Sequence, residues 1–442
     1  MDTCDRQCSC VKVAGSAFGK PTVDGKRSVN KNTETFRATL LAKKSGINEF
    51  SVCRPPLKMN QANQSEHRLL TSCARARLDE GDLAALGNLQ SQIDWDYFYR
   101  LARRHSLVPI VYRQLESLMR DQIPVAVFNR FRKDYQENAA RNLIFLDELN
   151  VVLDRLEAAG IEAIVFKGPA LAALAFGDLN LRRYVDLDLI VRRADMGRAI
   201  EVLIQSGYVP SRDLTGEQQA VLLRTQHNLQ FTRGRVIVEL HWQVSSELFA
   251  STVTAEELWQ NIATVGLNGR KVKTLATDDL LFALSVHGSR HVWQRLAWIC
   301  DIDRLIRINP AIDWAELTGR AKRANAERMF LLGPALAKTL LGTELPEVVA
   351  DDIAQDDRIA TLCDEIGARL FDGPEQSALP LFTVFRFNLL IRSGWRSRIR
   401  YTRFMLAPND SDVEAVRLRP GFHFMYYVVR PFRLLHSAFR QH

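Results

Sequence analysis

The sequence predicts an α+β protein with a mixed-sheet core between two helical regions. Apolar residues recur at helical spacing before residue 160 and again after residue 276. Between these limits, short apolar runs with strand character alternate with turns. We therefore divide the chain into an extension at 1–65, an N-terminal helical region at 66–160, a sheet core at 161–275 and a C-terminal helical region at 276–442.

The extension at 1–65 is rich in Ser, Asn, Lys and Thr and has no apolar period long enough for a core, so we expect it to be disordered or foreign to the folded unit. It carries a net charge of +6, and residues 391–442 carry +7. The whole chain carries +8, which leaves −5 for residues 66–390. The basic character of the chain is therefore no argument for nucleic-acid binding by the core.

The cysteines and the hydropathy pattern indicate in which cellular compartment the protein is expected. Seven cysteines, three of them at Cys4, Cys8 and Cys10, form neither a disulfide framework nor a zinc ribbon. The CSC sequence could bind a soft metal, although thiols in a flexible tail are the simpler interpretation. The chain has no run of eighteen apolar residues and no secretory signal at its start, so we predict a cytoplasmic protein without a transmembrane segment.

A strong helical pattern covers residues 142–159. Its apolar side chains recur every three or four positions and so share one face, and Gly160 stands where a left-handed cap would end the helix. The apolar positions are Leu143, Leu146, Leu149, Val152, Leu153 and Leu156.

The sheet core begins where the helical period ends. IEAIVF at 161–166 predicts a buried strand, and Lys167-Gly168-Pro169 predicts a turn into a helix. VDLDLIV at 185–191 predicts a second strand, and the sequence 227–244 predicts a hairpin that turns at Arg233-Gly234.

Three carboxylates stand out in these strands. Asp186 and Asp188 are two residues apart and therefore share one face. A lone DxD pair is more often a solvated strand end, but the apolar neighbours here indicate that a buried strand holds both acids. Glu239 interrupts a second apolar strand, where a lone acid is costly to bury. Together the three would offer hard oxygen ligands to Mg²⁺ at a two-metal phosphoryl-transfer site.

A phosphate site would also need cations and close backbone approach. Lys167-Gly168 lies directly after a strand and opens a helix, which lets backbone N–H groups approach phosphate, while Lys167 adds a positive charge. An ordinary strand-to-helix turn explains the same pair equally well. Arg182, four residues before Asp186, could hold a phosphate or pair with an acid.

These motifs resemble the uncharacterised nucleotidyltransferases of the DNA-polymerase-β superfamily. The family pattern is KGxxL, then RxxxDxDLxV, then an acid two residues before HW. It is matched at Lys167, Gly168, Leu171, Arg182, Asp186, Asp188 and Glu239. The resemblance covers roughly residues 66–440 and includes LFALSVHGSRHVWQRLAWICDIDRLI at 281–306.

The resemblance implies a polymerase-β-like nucleotidyltransferase core, two Mg²⁺ ions and an NTP donor. Asp186, Asp188 and Glu239 would be the metal ligands and catalytic residues, while Lys167, Gly168 and Arg182 would bind the nucleotide. The acceptor is left open as a small molecule, a glycan or a protein, and nucleic acid is not expected. The superfamily's usual Gly-Ser or Gly-Gly is Lys-Gly here, which favours the alternative of a catalytically inactive nucleotide-binding or interaction protein.

Other residues have weaker functional patterns. His287 and His291, with Asp301, have a spacing that can bind zinc, but a structural or substrate-facing role is the preferred interpretation. His227 and His241 could contact substrate or be structural. Aromatic and Arg residues interleave at 421–440, which suits an anionic membrane surface or nucleic acid. We favour instead a helix whose aromatics pack on the core and which Pro431 interrupts.

Overall fold

The structure is a computed structural model that describes residues 63–76, 93–211, 226–245, 249, 255–373, 375, 379–408, 412, 415–416, 418 and 422–440. Most of the predicted extension at 1–65 lies outside these residues. The predicted α+β class is confirmed, since a mixed sheet lies between helical regions along the chain. No helix of the described residues is long and apolar enough to cross a membrane.

The N-terminal helices are α1 (Gln64–Ala74), α2 (Trp95–Arg104), α3 (Val108–Leu118) and α4 (Val125–Ala158). Helix α4 is 34 residues long and begins well before the predicted start at 142. The predicted apolar face is buried except for Leu143, which is 55% exposed, so its inclusion was wrong. Asn142 of α4 donates hydrogen bonds to the carbonyls of Leu179 and Arg182, at 2.8 and 3.1 Å, and so fixes the segment that precedes the carboxylate strand.

The sheet has the strand order β1-β2-β5-β4-β3. Its strands are β1 (Ala163–Val165), β2 (Leu187–Val191), β3 (Val209–Pro210), β4 (Asn228–Arg233) and β5 (Val236–His241). Strands β2 and β5 are parallel, whereas the other neighbours are antiparallel. The predicted hairpin is present as β4–β5, and Gly234 in its turn has the positive φ of 59° that glycine tolerates best.

Strand β2 separates two apolar cores. Leu187, Leu189 and Val191 face the core that the sheet forms with α4 and with α6 (Met196–Gln205). Ile190 belongs to the other core, which the helical regions form. Because side chains alternate along a strand, Asp188 points to the same side as Ile190, toward the helical regions.

The remaining described elements are mostly helical, as predicted. A short helix α5 (Gly168–Leu171) follows β1, and a second hairpin, β6 (Ile262–Leu267) with β7 (Arg270–Leu275), follows helix α7 (Ala255–Gln260). The later helices are α8 (Thr277–Arg290), α9 (Leu296–Ile308), α10 (Trp314–Arg323), α11 (Glu327–Leu341), α12 (Glu347–Ala354), α13 (Asp357–Leu370), α14 (Leu381–Leu390), α15 (Trp395–Leu406) and α16 (Tyr426–Arg440).

The last helix corrects two expectations. Helix α16 continues through Pro431 instead of being interrupted there. Tyr426 is buried, and its hydroxyl donates to the Val416 carbonyl at 2.9 Å, but most aromatics of this segment do not pack on the core. Phe424 is 67% and Phe432 70% exposed. Contact with a membrane surface through this segment stays an untested prediction.

Candidate active site

Two carboxylates meet across the parallel pair of strands. Asp188 of β2 lies directly opposite Glu239 of β5, so both side chains project from the same face of the sheet. Asp186 directly precedes β2, two residues before Asp188. All three acids line one cavity of about 410 Å³ between the sheet and helices α8 and α9.

Asp188 is the centre of a hydrogen-bond network. Its Oδ1 lies 3.3 Å from Lys167 Nζ and 3.0 Å from His241 Nε2. His241 Nε2 is also 3.3 Å from Glu239 Oε2, to which Asn228 donates at 2.7 Å. The buried His241 Nδ1 has no hydrogen-bond partner among the described residues, which favours the tautomer with its proton on Nε2. His241 therefore donates to both carboxylates.

The two aspartates differ in their electrostatics. Burial, with the charges of Asp188 and Glu239, raises the pKa of Asp186 to about 6. Burial alone would also raise the pKa of Asp188, but the Lys167 ammonium and the His241 hydrogen bond outweigh it and hold that pKa below its usual range. Asp188 is thus satisfied without a metal, whereas the charges of Lys167 and Arg182 offset the burial of ionised Asp186 only in part.

The donor set fits a divalent cation. Asp188 and Glu239 offer carboxylate oxygens within 4.8 Å of each other, and the His241 ring nitrogen in the same cluster holds both acids by hydrogen bonds. Carboxylate oxygens are the ligands that Mg²⁺ prefers, and the raised pKa of Asp186 marks a place where a cation would stabilise an anion. Asp186 lies on the same cavity wall but outside this three-residue cluster, so its role as a ligand stays a prediction.

The Lys167-Gly168 turn places Lys167 in the cavity. Lys167 Nζ also lies 4.4 Å from the centre of the Phe166 ring. Gly168 has a φ of +51°, a backbone conformation that favours glycine, while a Cβ there would be in ordinary contact with the Asp186 carbonyl oxygen at 3.4 Å. Gly168 itself is buried and does not line the cavity. Its placement suits close packing beside Asp186 more than direct contact with a ligand.

Arg182 pairs with an acid, which is one of the two roles its position suggested. Its Nε and Nη2 donate to the two carboxylate oxygens of Asp301, at 2.9 and 3.0 Å. Both side chains are largely buried. This bidentate pair joins the segment before β2 to helix α9. Arg182 also lines the cavity, so contact with a nucleotide stays a prediction.

The histidines form part of the cavity wall. The rings of His287 and His291 lie 4.6 Å apart, and each centre lies 5.4 Å from the Trp298 ring. Because Asp301 is engaged by Arg182 and no third ligand joins the two histidines within the described ranges, the zinc interpretation gains no support. His227 accepts a hydrogen bond from Arg290, at 2.6 Å between Nε2 and Nη1.

Sequence reasoning missed several residues of the cavity. Arg183, Arg290, Arg295 and Trp298 line it. Three of these positions fall in the sequence 281–306 that had supported the family resemblance, but no spacing rule distinguished them. Counting only Lys, Arg, Asp and Glu, five cations and three acids line the cavity, which suits an anionic ligand.

Three comparisons relate this chain to known proteins. Residues 91–342 match a protein family described as uncharacterised nucleotidyltransferase. No curated protein is significantly similar in sequence. The chain is similar to a crystal structure of ANT(2")-Ia in complex with adenylyl-2"-tobramycin, with 11% identity, a TM-score of 0.30, and coverage of 40% of this chain and 97% of that one. It is also similar to a solution structure of the antibiotic-resistance factor ANT(2'')-Ia, with 11% identity, a TM-score of 0.25, and coverage of 50% and 96%.

Proposed function

Because the chain belongs to the uncharacterised nucleotidyltransferase family, we propose that it transfers a nucleoside monophosphate from an NTP to a hydroxyl or phosphate acceptor. The observation that carries this proposal is the pairing of Asp188 with Glu239 on adjacent parallel strands, facing a cavity rich in cations. Both acids lie inside the matched residues 91–342.

In the proposed reaction, an acceptor oxygen forms a bond to the α-phosphorus and the bond to pyrophosphate breaks. Glu239 accepts the acceptor's proton, since the hydrogen bond from His241 overcomes the effect of burial and keeps its pKa low enough for the ionised form. Lys167 lies beside Asp188 and would bind the triphosphate. His241 would hold Asp188 and Glu239 in place.

Asp186, Asp188 and Glu239 would hold two Mg²⁺ ions, which supply charge neutralisation for the attacking oxygen and for pyrophosphate. Arg182 would assist the phosphates through its cavity-facing edge while Asp301 fixes its orientation. Gly168 would let the strand-to-helix turn pack against Asp186.

A second candidate is a catalytically inactive nucleotide-binding or interaction protein. It is favoured by the Asp188 carboxylate, whose Oδ1 already has two partners, Lys167 and His241, in place of a metal. Such a network would stabilise the fold without any chemistry. The two candidates differ in whether bound NTP is turned over.

Calorimetry with each NTP, with and without Mg²⁺, tests the proposal. We expect Mg²⁺-dependent binding that falls at least about tenfold in Asp188→Asn, because even outer-shell changes at metal sites cost about 10- to 100-fold in affinity. Asp147→Asn, an exposed acid on α4, is the matched control and should bind as wild type does. Equal affinity in Asp188→Asn would refute the metal assignment.

Pyrophosphate release separates transfer from simple binding. Wild type, Mg²⁺ and NTP are incubated with a small-molecule cell extract, and pyrophosphate is measured against the same reaction with Asp188→Asn. Release only with wild type supports transfer. Tight Mg²⁺–NTP binding without release supports the inactive candidate.

A further inference from the structure

The turn between helices α8 and α9 is strained. Val292 and Trp293 are consecutive non-glycine residues with φ values of 55° and 52°. Side chains rarely adopt this left-handed conformation, and a β-branched residue such as Val292 does so least readily. Backbone strain of this kind persists where the surrounding structure enforces it, and it concentrates at functional sites.

A buried indole enforces the turn. Trp293 is fully buried, and two glycines leave the space that its ring occupies. A Cβ at Gly288 would lie 2.5 Å from the ring, and one at Gly333 would lie 3.3 Å from it. Beyond the turn, the Leu296 amide donates to His105 Nδ1 at 3.1 Å. The turn is therefore fixed on both sides of the strained residues.

This fixed turn presents cations to the cavity. Arg290 lies at its start and Arg295 at its end, and both line the cavity together with the exposed Arg183. None of the three is within ion-pair distance of a carboxylate in the described part of the chain. By contrast, the other two cations of the cavity form ion pairs: Lys167 pairs with Asp188, and Arg182 pairs with Asp301.

The surroundings of these arginines are poor in compensating groups. Arg290 donates to a histidine, His227, whose pKa is driven well below its usual value by burial and by Arg290 itself. Arg295 Nε is buried without a hydrogen-bond partner among the described residues. Burial, followed by the charge of Arg183, lowers the pKa of Arg295, and the charge of Asp186 offsets this only in part. Burial also lowers the pKa of Arg290 despite the opposing charge of Glu239. Holding cations this way costs free energy unless a ligand supplies the missing anion.

We propose that Arg290 and Arg295 bind a carboxylate or phosphate group of the acceptor, so that the acceptor is an anionic, hydroxyl-bearing small molecule. The inference rests on the proposed function and specifies its substrate class. The three acids of the cavity are assigned to metal ions, and the metal ions offset the triphosphate. The unpaired arginines then face a second anion, and a polycationic acceptor would meet them with repulsion.

The test uses acceptor-like probes on the nucleotide-bound protein. The full chain is saturated with Mg²⁺ and the α,β-methylene analogue of the NTP that binds in calorimetry, which resists cleavage at the reacting bond. Glycerol 3-phosphate and glycerate are then titrated by calorimetry, with uncharged glycerol as the reference. We expect one or both anions to bind and glycerol not to bind, and the anion that binds identifies the group recognised.

Substitutions then locate the binding. Arg290→Gln and Arg295→Gln should each weaken anion binding about tenfold, which corresponds to one charge-assisted hydrogen bond, while affinity for the nucleotide analogue stays within about twofold. Arg290→Lys and Arg295→Lys should keep part of the binding because they keep the charge. Arg113→Gln, an exposed arginine on α3, is the control. Near-ultraviolet circular dichroism verifies folding of each variant.

Three outcomes overturn the proposal. The first is that neither anion binds the wild type. The second is that the glutamine variants bind the anions as tightly as the wild type does. The third is that the anions compete with the nucleotide analogue and that the glutamine variants lose affinity for this analogue. The last result would assign the arginines to the triphosphate. If no NTP binds in the presence of Mg²⁺, the proposed function fails, and titration without nucleotide still shows whether Arg290 and Arg295 hold an anion.

Discussion

In the protein without metal, replacing Asp186 and replacing Asp188 should have opposite effects on stability. Asp186→Asn removes a carboxylate whose pKa is raised to about 6, from 3.8, by burial and by the charges of Asp188 and Glu239. Asp188→Asn instead removes the anion that Lys167 and His241 both contact. The sequence alone treats the two acids as equivalent, whereas their partners distinguish them.

The magnitudes follow from the pKa values and contacts. A rise from 3.8 to about 6 in the folded protein means that ionised Asp186 opposes folding above pH 6. At about 1.4 kcal/mol per pKa unit, reduced for partial exposure, Asp186→Asn should stabilise the metal-free protein by roughly 1–3 kcal/mol at pH 8. Asp188→Asn should destabilise it by roughly 1–3 kcal/mol, because hydrogen bonds to a charged group are lost.

The pH dependence of unfolding also tests the sign of the Asp186→Asn effect on stability. Between pH 3.8 and about 6 the folded protein binds more protons at Asp186 than the unfolded chain, so stability from this group falls as pH rises. The advantage of Asp186→Asn over wild type should therefore fall by about half between pH 8 and pH 5. Mg²⁺ should reduce it at pH 8, since a bound cation removes the penalty on the ionised acid.

Urea unfolding in EDTA measures these effects. Tryptophan fluorescence and far-ultraviolet circular dichroism should be followed together at pH 8 and pH 5, with Asp147→Asn as an exposed-acid control. A destabilised Asp186→Asn protein at pH 8, or an advantage that grows as pH falls, would refute the electrostatic argument.

Three further predictions concern packing around the site. Arg182→Leu and Asp301→Leu should each lower the free energy of unfolding by about 3–5 kcal/mol, because each single change leaves a buried charge without its partner. The double substitution should lower it by less than the sum of the two, which a double-mutant cycle in urea measures. Gly288→Ala should destabilise the folded protein by roughly 1–3 kcal/mol, because its Cβ would overlap the Trp293 ring. Adding Trp293→Leu to that variant should relieve part of the loss, and thermal unfolding of the single and double variants measures both effects. Gly168→Ala should lower stability by roughly 1 kcal/mol at its φ of +51°, so a melting temperature equal to that of wild type would contradict the turn argument.

Local sequence patterns predicted the strands and turns better than they predicted which strands pair with each other. The apolar run around Glu239 predicted a strand there, and the glycine at 234 marked the hairpin turn. The meeting of Asp188 with Glu239, however, depends on β2 pairing with a strand that is not its neighbour in sequence. Such a pairing is a property of the sheet topology. Carboxylate chemistry and the family resemblance suggested that the acids meet, but no local period showed which strands pair.

Other features depend on tertiary context that no sequence period expresses. Arg182 had two possible partners, and Asp301 lies 119 residues away. Arg290 and Arg295 reach the cavity because Trp293 adopts a left-handed backbone conformation, which local preferences disfavour. Helix α16 continues through Pro431 although proline in a helix interior removes a hydrogen bond.

The division of the cavity between a sheet and a turn has an evolutionary consequence. Asp188 and Glu239 are built into paired strands and Asp186 directly precedes one of them, so most changes there disturb both a hydrogen-bond register and a core. Arg290 and Arg295 stand at the two ends of one short turn, which the buried side chain of Trp293 anchors. With Arg290 and Arg295 in the proposed acceptor role, acceptor preference would diverge among descendants of this chain by substitutions at 290, 291, 294 and 295, which all line the cavity, while the proposed nucleotide chemistry would be inherited unchanged. A library randomised at those four positions would sample that divergence directly.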